Sequence, residues 1–146
     1  SNKNNSALNI IRVAGLYGPG RINGFLKKGE IKIVKKKHYF SRIHILDASR
    51  IISKIILESN DREVWNLSDN LSSTREDFLL EIIKLKNIRN YEVVNFKEYK
   101  DSLSKKSIKF WSNNKKVSNN KVKKNLRYYF MFPSYKNGLK SLKCYL

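Results

Sequence analysis

The feature that most constrains the fold is an alternation of strand and helix patterns. Residues 6–18 form a continuous apolar run with β-branched side chains that ends at glycines, which predicts a strand buried on both faces. Amphipathic helices are predicted at 48–59 and 72–87, separated by a strand at 62–69. This order predicts an α/β architecture. A parallel sheet made only of these two strands would be too narrow to stand alone, so we expect part of the fold to be missing.

The other segments give weaker signals. Residues 31–45 alternate apolar and polar side chains and predict two short strands joined as a hairpin by a turn at 35–37. The stretch 21–29 predicts one helical turn, and a further short strand is expected at 90–96. Residues 100–116 are polar and predict a loop anchored by Phe110 and Trp111. Two short helices are then expected to close the chain, one after Ser118 and one beginning at Tyr135.

Composition and charge bound the class of protein. The chain has 146 residues, of which 40% are hydrophobic, which predicts one folded domain. A single cysteine excludes an internal disulfide and favours a cytoplasmic location, and no apolar stretch is long enough for a membrane helix. The net charge of +19 keeps open a non-catalytic module that binds RNA or other polyanions. Against nucleic-acid binding as the main role, 23 lysines outnumber 8 arginines and are scattered along the whole chain.

The glycines after the first strand look at first like a phosphate-binding loop. A dinucleotide fingerprint requires Gly-x-Gly-x-x-Gly at the start of a helix, followed about 20 residues later by an acidic residue that ends a second strand. Here the spacing is Gly15-x-x-Gly18-x-Gly20, and Pro19 removes a backbone donor from the loop. The next strand runs into Lys35 instead of an acidic residue. The loop therefore does not fit this role.

Four segments in order resemble a different part of a dinucleotide-binding protein. They are "IIRVAGLYGPGR", "FSRIHILDASRII", "EVWNLSDN" and "STREDFLLEI". Together they resemble the C-terminal half of the extended short-chain dehydrogenases/reductases, the NAD-dependent epimerase/dehydratase family. The tail "KVSNNKVKKNL…FPSYKNGLKSL" resembles the end of an atypical subgroup of that family. The resemblance covers nearly all of the chain. It implies late parallel strands of a Rossmann-like NAD(P)-binding fold and a small α/β substrate-binding subdomain, with the N-terminal dinucleotide-binding half absent.

The resemblance also implies what this chain lacks. In the family, an N-terminal Gly-x-x-Gly-x-x-Gly loop binds the cofactor phosphates, and a Tyr-x-x-x-Lys pair with a Ser/Thr carries out catalysis. None of the eight tyrosines here is followed four residues later by a lysine. We therefore assign no catalytic or metal-binding residue, and whether the chain counts as an enzyme stays open. NAD or NADP would bind only together with the missing half.

The same alignment of motifs assigns candidate site residues. It assigns Leu16 and Gly15 to cofactor binding, with Leu16 where the family's backbone meets the nicotinamide. Gly15 stands where the family has an Asn that often touches substrate, so that side-chain contact is lost. It places Tyr17, Gly18 and Pro19 at the turn on the edge of the substrate cleft; a simple tight turn is the alternative for the glycines.

Two residues of the second segment are also assigned to the substrate cleft. Arg42 lies two residues after Phe40, where sugar-nucleotide members often have an Arg for the diphosphate, and an even offset keeps Arg42 on the same face. His44 matches the family pattern, although a packed histidine with a satisfied hydrogen bond is favoured for it. For Asp47, an N-cap of the following helix is favoured over any chemistry.

These inferences combine into one organisation. We expect residues 1–146 to form a single incomplete domain. Segments 6–20 and 62–86 would supply the late strands and a helix of the Rossmann-like sheet, and segments 21–58 and 88–146 the substrate-side subdomain and the C-terminal helices. The predicted partners are the N-terminal dinucleotide-binding half, on the same or a separate chain, and a small-molecule substrate such as a sugar nucleotide. A decayed, non-catalytic fragment is a further possibility.

Overall fold

Strand pairs, most of them parallel, form the β-structure of the computed structural model, which describes residues 8–22, 31–59 and 62–143. In chain order the elements are β1 (Ile10–Val13), β2 (Gly15–Tyr17), β3 (Ile31–Lys35), β4 (Tyr39–Phe40), β5 (Arg42–His44), α1 (Ile45–Glu58), β6 (Val64–Leu67), β7 (Ser73–Thr74), α2 (Arg75–Leu85), β8 (Tyr91–Asn95), α3 (Phe96–Lys100), α4 (Lys105–Ser112), α5 (Asn120–Asn125) and α6 (Tyr135–Ser141). Strands β1 and β6, β2 and β5, and β3 and β8 pair in parallel, whereas β4 and β7 are antiparallel. The α/β architecture and the β1–β6 pair agree with the sequence-based expectation.

The first strand differs from its prediction in two ways. It divides at Ala14, whose amide still donates to the Leu67 carbonyl of β6, whereas the amide of Gly15 donates to Ser41 beside β5. The chain therefore passes from one strand partner to another at this point. The prediction that the strand is buried on both faces was wrong, because Ile10 is 48% and Val13 41% exposed.

The predicted hairpin at 31–45 was also wrong. Strands β3, β4 and β5 each pair with a different, distant strand instead of with one another. The connecting residues are held by the end of α4 and the segment after it: the Lys36 ammonium donates to the Trp111 carbonyl at 2.6 Å, and the Tyr39 amide donates to Asn114 Oδ1 at 2.8 Å. The His38 amide donates to the Lys36 carbonyl at 2.6 Å, so the chain turns locally here without pairing β3 with β4 or β5.

The predicted loop at 100–116 was wrong for its central part, which forms α4. Ser104 caps this helix by accepting a hydrogen bond from the Ser107 amide, a local signal that the polar composition masked. Trp111 is buried, as expected of an anchor, whereas Phe110 is 45% exposed. Helices α1, α2, α5 and α6 are present as predicted. The helical turn expected at 21–29 lies largely outside the described residues.

Two apolar clusters form the interior. The first, called here the α1 core, joins α1 to β5, β6 and α5. Its buried members are Ile43, Ala48, Ile51, Ile55, Trp65, Leu67, Val122, Leu126 and Tyr128. The second, called the α6 core, packs α2 against α6 and the end of β2. Its buried members are Tyr17, Ile22, Phe78, Ile82, Tyr135, Leu139 and Leu142. The predicted site residues of β2 and β5 lie between these two cores.

Candidate functional site

The site is built where β2 and β5 end side by side. Gly15 lies beside Arg42, Leu16 beside Ile43, and Tyr17 beside His44, so the carboxyl ends of both strands open at the same edge. Ligands of open α/β sheets bind at this end of parallel strands. The structure therefore brings the predicted cofactor residues (Gly15, Leu16) and the predicted substrate-cleft residue His44 to one edge.

The turn after β2 can be made only by glycine at its first position. A Cβ on Gly18 would lie 2.6 Å from Ile45 Cγ2 and 3.7 Å from His44 Nε2, so the turn packs directly on the start of α1. The Arg21 amide donates to the Gly18 carbonyl at 3.1 Å and closes the turn. Pro19 and Gly20 lie on the outside and are exposed. This geometry presents the turn at the edge of the site.

Tyr17 is an interior residue of the site. Its side chain is 1% exposed, its hydroxyl donates to the Ser134 carbonyl at 3.3 Å, and its ring meets His44 edge-on. Burial, followed by the charges of Asp69 and Asp47, raises the pKa of the Tyr17 hydroxyl well above its usual value, so it stays protonated. Tyr17 thus connects the turn to the α6 core.

His44 has one nitrogen engaged and one free of protein partners in the described chain. Nδ1 accepts a hydrogen bond from the Leu46 amide at 3.3 Å, while Nε2 is buried without a hydrogen-bond partner and faces the Gly18 turn. The ring stacks on Phe132 with 4.0 Å between centroids. Burial lowers the pKa of His44, although Asp47 acts in the opposite direction. The imidazole is therefore neutral at physiological pH, and because Nδ1 accepts, the proton is on Nε2, which can donate one hydrogen bond.

The predicted N-cap role of Asp47 was wrong. Helix α1 begins at Ile45, because His44 is extended and its side chain caps the helix. Asp47 lies in the first turn, fully buried, and its carboxylate accepts three hydrogen bonds: from the Tyr128 hydroxyl at 2.7 Å and from the amides of Met131 and Phe132 at 2.9 Å each. Through these hydrogen bonds Asp47 binds the 128–132 segment to α1 and positions Phe132 against His44.

Arg42 is enclosed by the chain. It is 2% exposed, with its guanidinium 3.6 Å from the centre of the Phe40 ring and 4.1 Å from that of Phe78. One terminal nitrogen donates to Ser73 Oγ at 2.7 Å and the other to the Thr74 carbonyl at 3.3 Å. Burial lowers the pKa of Arg42 to about 9, and Asp69 opposes this shift. Arg42 and Phe40 lie on the same face, as expected, but the guanidinium donors of Arg42 bind Ser73 and Thr74 of β7.

Asp69 follows β6 at the same edge. It is 3% exposed; its Oδ1 accepts from the Leu71 amide at 3.0 Å, and its Oδ2 has no hydrogen-bond partner in the described chain. Burial raises the pKa of Asp69 from 3.8 to about 7, despite the opposing effects of the Leu71 amide and Arg42. A carboxyl group that titrates near neutral pH is therefore buried beside Arg42.

This shift predicts a pH-dependent effect of Asp69→Asn on stability. Because the folded-state pKa is raised, the stability that Asp69 contributes is greatest below pH 4 and is lost as the pH rises through about 7. We expect Asp69→Asn to gain on the order of 2 kcal/mol relative to the parent between pH 5 and pH 8. Urea unfolding at pH 5, 6.5 and 8 measures this difference, with exposed Asp101→Asn as the matched control. An effect of Asp69→Asn that is equal at all three pH values would contradict the burial argument.

A cationic cavity of about 360 Å³ lies beyond Arg42 and was not predicted from the sequence. It is lined by β3, the start of α2, α3 and α4. Its basic members are Lys32, Arg75 and Lys106, its aromatic members are Tyr99, Phe110 and Trp111, and Val34, Leu103 and Ser107 complete the lining. Among the described residues no carboxylate lines it, although Glu92 pairs with Lys32 at 3.2 Å near the surface. Such a cavity suits an anionic ligand that also has a flat ring.

An aromatic wall joins this cavity to Arg42. His38 is buried among Phe40, Phe110 and Trp111, with its ring centroid 5.2 Å from those of Phe110 and Trp111. Its Nε2 is bonded to the Asn113 carbonyl, and burial lowers its pKa. The Arg42 guanidinium stacks on Phe40 and so contacts the same wall. No sequence spacing signalled this cluster, because His38 and Phe40 are about 70 residues from Phe110 and Trp111 of α4.

The described residues contain neither a metal-binding cluster nor a helix that could cross a membrane. No group of three or more His, Cys, Asp and Glu side chains within 8–22, 31–59 and 62–143 is arranged to hold a metal ion. Across the same ranges, no helix has both the length and the apolar character needed to cross a membrane.

Comparison with known proteins identifies the fold. No protein-family model matches the sequence, and no curated protein matches it. Among solved structures, a functionally unknown conserved protein from Silicibacter pomeroyi is 30% identical, with a TM-score of 0.86 over 94% of this chain and 49% of that one. A human epimerase family protein determined with NADPH is 19% identical, with a TM-score of 0.75 over 96% of this chain and 49% of that one. A dTDP-glucose 4,6-dehydratase from Bacillus anthracis, in complex with NAD, is 15% identical, with a TM-score of 0.71 over 94% of this chain and 43% of that one.

The chain has the fold of one half of an extended short-chain dehydrogenase/reductase. The Rossmann-like α/β fold class is confirmed, as is the resemblance to part of an extended short-chain dehydrogenase/reductase of the NAD-dependent epimerase/dehydratase type. The chain spans about half the length of the solved proteins that it matches.

Proposed function

We propose that this chain is the substrate-side portion of an NAD(P)-dependent epimerase/dehydratase-like oxidoreductase. The observation that carries the proposal is its match to about half of solved proteins of this fold, two of which were determined with NADPH or NAD. With neither a cofactor phosphate loop nor a Tyr-x-x-x-Lys pair, the described half is not expected to catalyse a reaction alone. A dinucleotide-binding half, on the same or another chain, would complete it.

In this proposal the edge formed by β2 and β5 faces the cofactor and the substrate. Gly15 and Leu16 would meet the nicotinamide through their backbone, and the turn at Tyr17, Gly18 and Pro19 would border the cleft. The bound nicotinamide would supply hydride transfer. His44 supports this placement, because its buried Nε2 faces the turn with no protein partner in the described chain. Because Nδ1 already accepts, the neutral ring carries its proton on Nε2, which could donate one hydrogen bond there without changing charge.

The two-part division of the chain belongs to the same proposal. Segments 6–20 and 62–86 would extend the Rossmann-like sheet, and segments 21–58 and 88–146 would form the substrate-side subdomain. The parallel pair β1–β6 is what an extension of such a sheet requires. The cationic cavity lies among β3, α3 and α4, on the substrate-side segments apart from Arg75 of α2.

The cavity supports an anionic, ring-bearing substrate such as a sugar nucleotide. Lysine and arginine side chains would bind phosphate oxygens, and the rings of Tyr99, Phe110 and Trp111 would stack on a base. The neighbour from Bacillus anthracis acts on a substrate of this class, as its name states. Arg42, proposed from the sequence for the diphosphate, would then support the aromatic wall of this cavity instead of gripping the phosphates itself.

Co-expression tests the proposal. The probe is the half of the Silicibacter pomeroyi protein that this chain does not cover, produced in the same cells as the tagged 146-residue chain. We expect the two polypeptides to purify together as a one-to-one complex. Failure of the untagged half to co-purify, when both polypeptides are soluble, would count against a substrate-side role.

A further inference from the structure

One face of the β1–β6 pair has no cover in the described chain. Ile11 and Trp65 lie side by side, as do Val13 and Leu67, and Ile11, Trp65 and Leu67 face the α1 core. Because side chains alternate along a strand, the other residues of β1 and β6 project from the opposite face. These are Ile10, Arg12, Val64 and Asn66. Ile10 is 48% and Val64 37% exposed, so two apolar side chains of a parallel sheet meet solvent.

The segment 114–118 borders this open face and makes it basic. Its backbone is fixed by hydrogen bonds: the Lys115 amide donates to the Tyr39 carbonyl at 3.0 Å, and the Val117 amide to Ser41 Oγ at 2.8 Å. Between this segment and the end of β1 lies a cavity of about 620 Å³. Its lining residues are Arg12, Val13, Ala14, Asn66, Asn114, Lys115, Lys116, Val117 and Ser118. Of the residues that the structure describes, three cations and no carboxylate line it.

We propose that this face receives the dinucleotide-binding half through an amphipathic element, with apolar side chains over Ile10 and Val64 and carboxylates toward Arg12, Lys115 and Lys116. The inference rests on the proposed function and deepens it by naming the surface and the chemistry of the partner. Parallel sheets are covered on both faces in folded proteins, whereas the described residues cover this pair on one face. The solved proteins of this fold are about twice as long, so they contain the chain length needed for a cover.

The positive charge of this face, together with its apolar side chains, favours an acidic amphipathic element over a second copy of the chain or a nucleic acid. A second copy of the chain would bring the same three cations against themselves, on a polypeptide of net charge +19. A nucleic acid would satisfy the cations but would leave Ile10 and Val64 against a polar backbone. An acidic amphipathic element pairs with the cations and removes the apolar side chains from water.

The test uses two charge-reversal variants in the complex with the Silicibacter pomeroyi half. Lys115→Glu/Lys116→Glu lies on the proposed interface. Lys123→Glu/Lys124→Glu changes the net charge equally but lies on the exposed side of α5, which packs on the covered face. We expect the first variant to weaken the complex at least about tenfold at low salt and the second to change its dissociation constant less than about twofold. Hydrogen exchange of the parent complex should show new protection at 10–14 and 64–67.

The outcomes separate the inference from the function on which it rests. If the parent complex forms, but both variants bind equally well and β1 gains no protection, the interface lies elsewhere and the inference is overturned. If the parent chain forms no complex at all, the proposed function fails and the inference fails with it. Self-association of the chain through β1, or protection of β1 by RNA alone, would likewise overturn it in favour of another occupant.

Discussion

Replacing Asp47 with alanine is expected to lower the free energy of unfolding by about 3 kcal/mol or more. The carboxylate is fully buried and accepts hydrogen bonds from the Tyr128 hydroxyl and from the amides of Met131 and Phe132. Alanine would leave the buried Tyr128 hydroxyl and the two partly buried amides without this acceptor, and each buried donor left unpaired costs about 1–3 kcal/mol. Urea unfolding followed by tryptophan fluorescence measures the loss, since Trp65 belongs to the same core as Tyr128.

Asp101→Ala provides the matched control for Asp47. Asp101 is exposed at the end of α3, so its removal is expected to change stability by less than about 0.5 kcal/mol. If Asp47→Ala were no more destabilising than Asp101→Ala, then Asp47 would not be the residue that fastens the 128–132 segment. The position of Phe132 against His44 would then need another explanation.

Gly138→Ala is the second substitution with a large expected effect, at least about 2 kcal/mol of destabilisation. In an exposed helix interior this change would add about 1 kcal/mol of stability. Gly138 is buried in α6, and a Cβ there would lie 2.2 Å from the Tyr17 hydroxyl and 2.6–2.7 Å from two of its ring carbons. The ring is itself confined by His44 and Phe78, so it cannot move aside freely.

Two comparisons isolate this contact. Gly15→Ala should cost less than about 1 kcal/mol, because its Cβ would approach no atom closer than 3.4 Å. In a Tyr17→Leu background, Gly138→Ala should cost less than in the parent, because the hydroxyl and ring atoms are gone. Equal costs of Gly138→Ala in the two backgrounds would show that Tyr17 is not the obstacle.

Local patterns in the sequence predicted the helices better than the strand pairing. The periodicity of Ile51, Ile55 and their neighbours predicted α1, and the Thr74 cap with acidic residues in the first turn agrees with α2. Pairing of β3 with β8 joins residues 60 positions apart in the chain, and nothing local to either strand specifies it. A hairpin was predicted at 31–45 because the two strand patterns are adjacent in the sequence. The sequence pattern carries no information on pairing with distant strands, which is what the structure shows.

In the candidate site, too, contacts between residues far apart in the chain were not predicted from the sequence. The resemblance located Gly15, Leu16 and His44, and the structure brings them to one edge. It could not show that Asp47 binds groups more than 80 residues away, which made a helix cap the natural interpretation. The cationic cavity also escaped prediction, because Lys32, Arg75 and Lys106 come from three separate elements, one of which was expected to be a loop.

Nicotinamide dinucleotide binding tests the central claim most directly. The measurement is titration of NADPH and NADH, followed by nicotinamide fluorescence, into the 146-residue chain alone and into its complex with the Silicibacter pomeroyi half. The account predicts no saturable binding by the chain alone and saturable one-to-one binding of at least one of the two by the complex. Saturable binding of either dinucleotide by the isolated chain, or a stable complex that binds neither, would contradict a substrate-side half completed by a dinucleotide-binding partner.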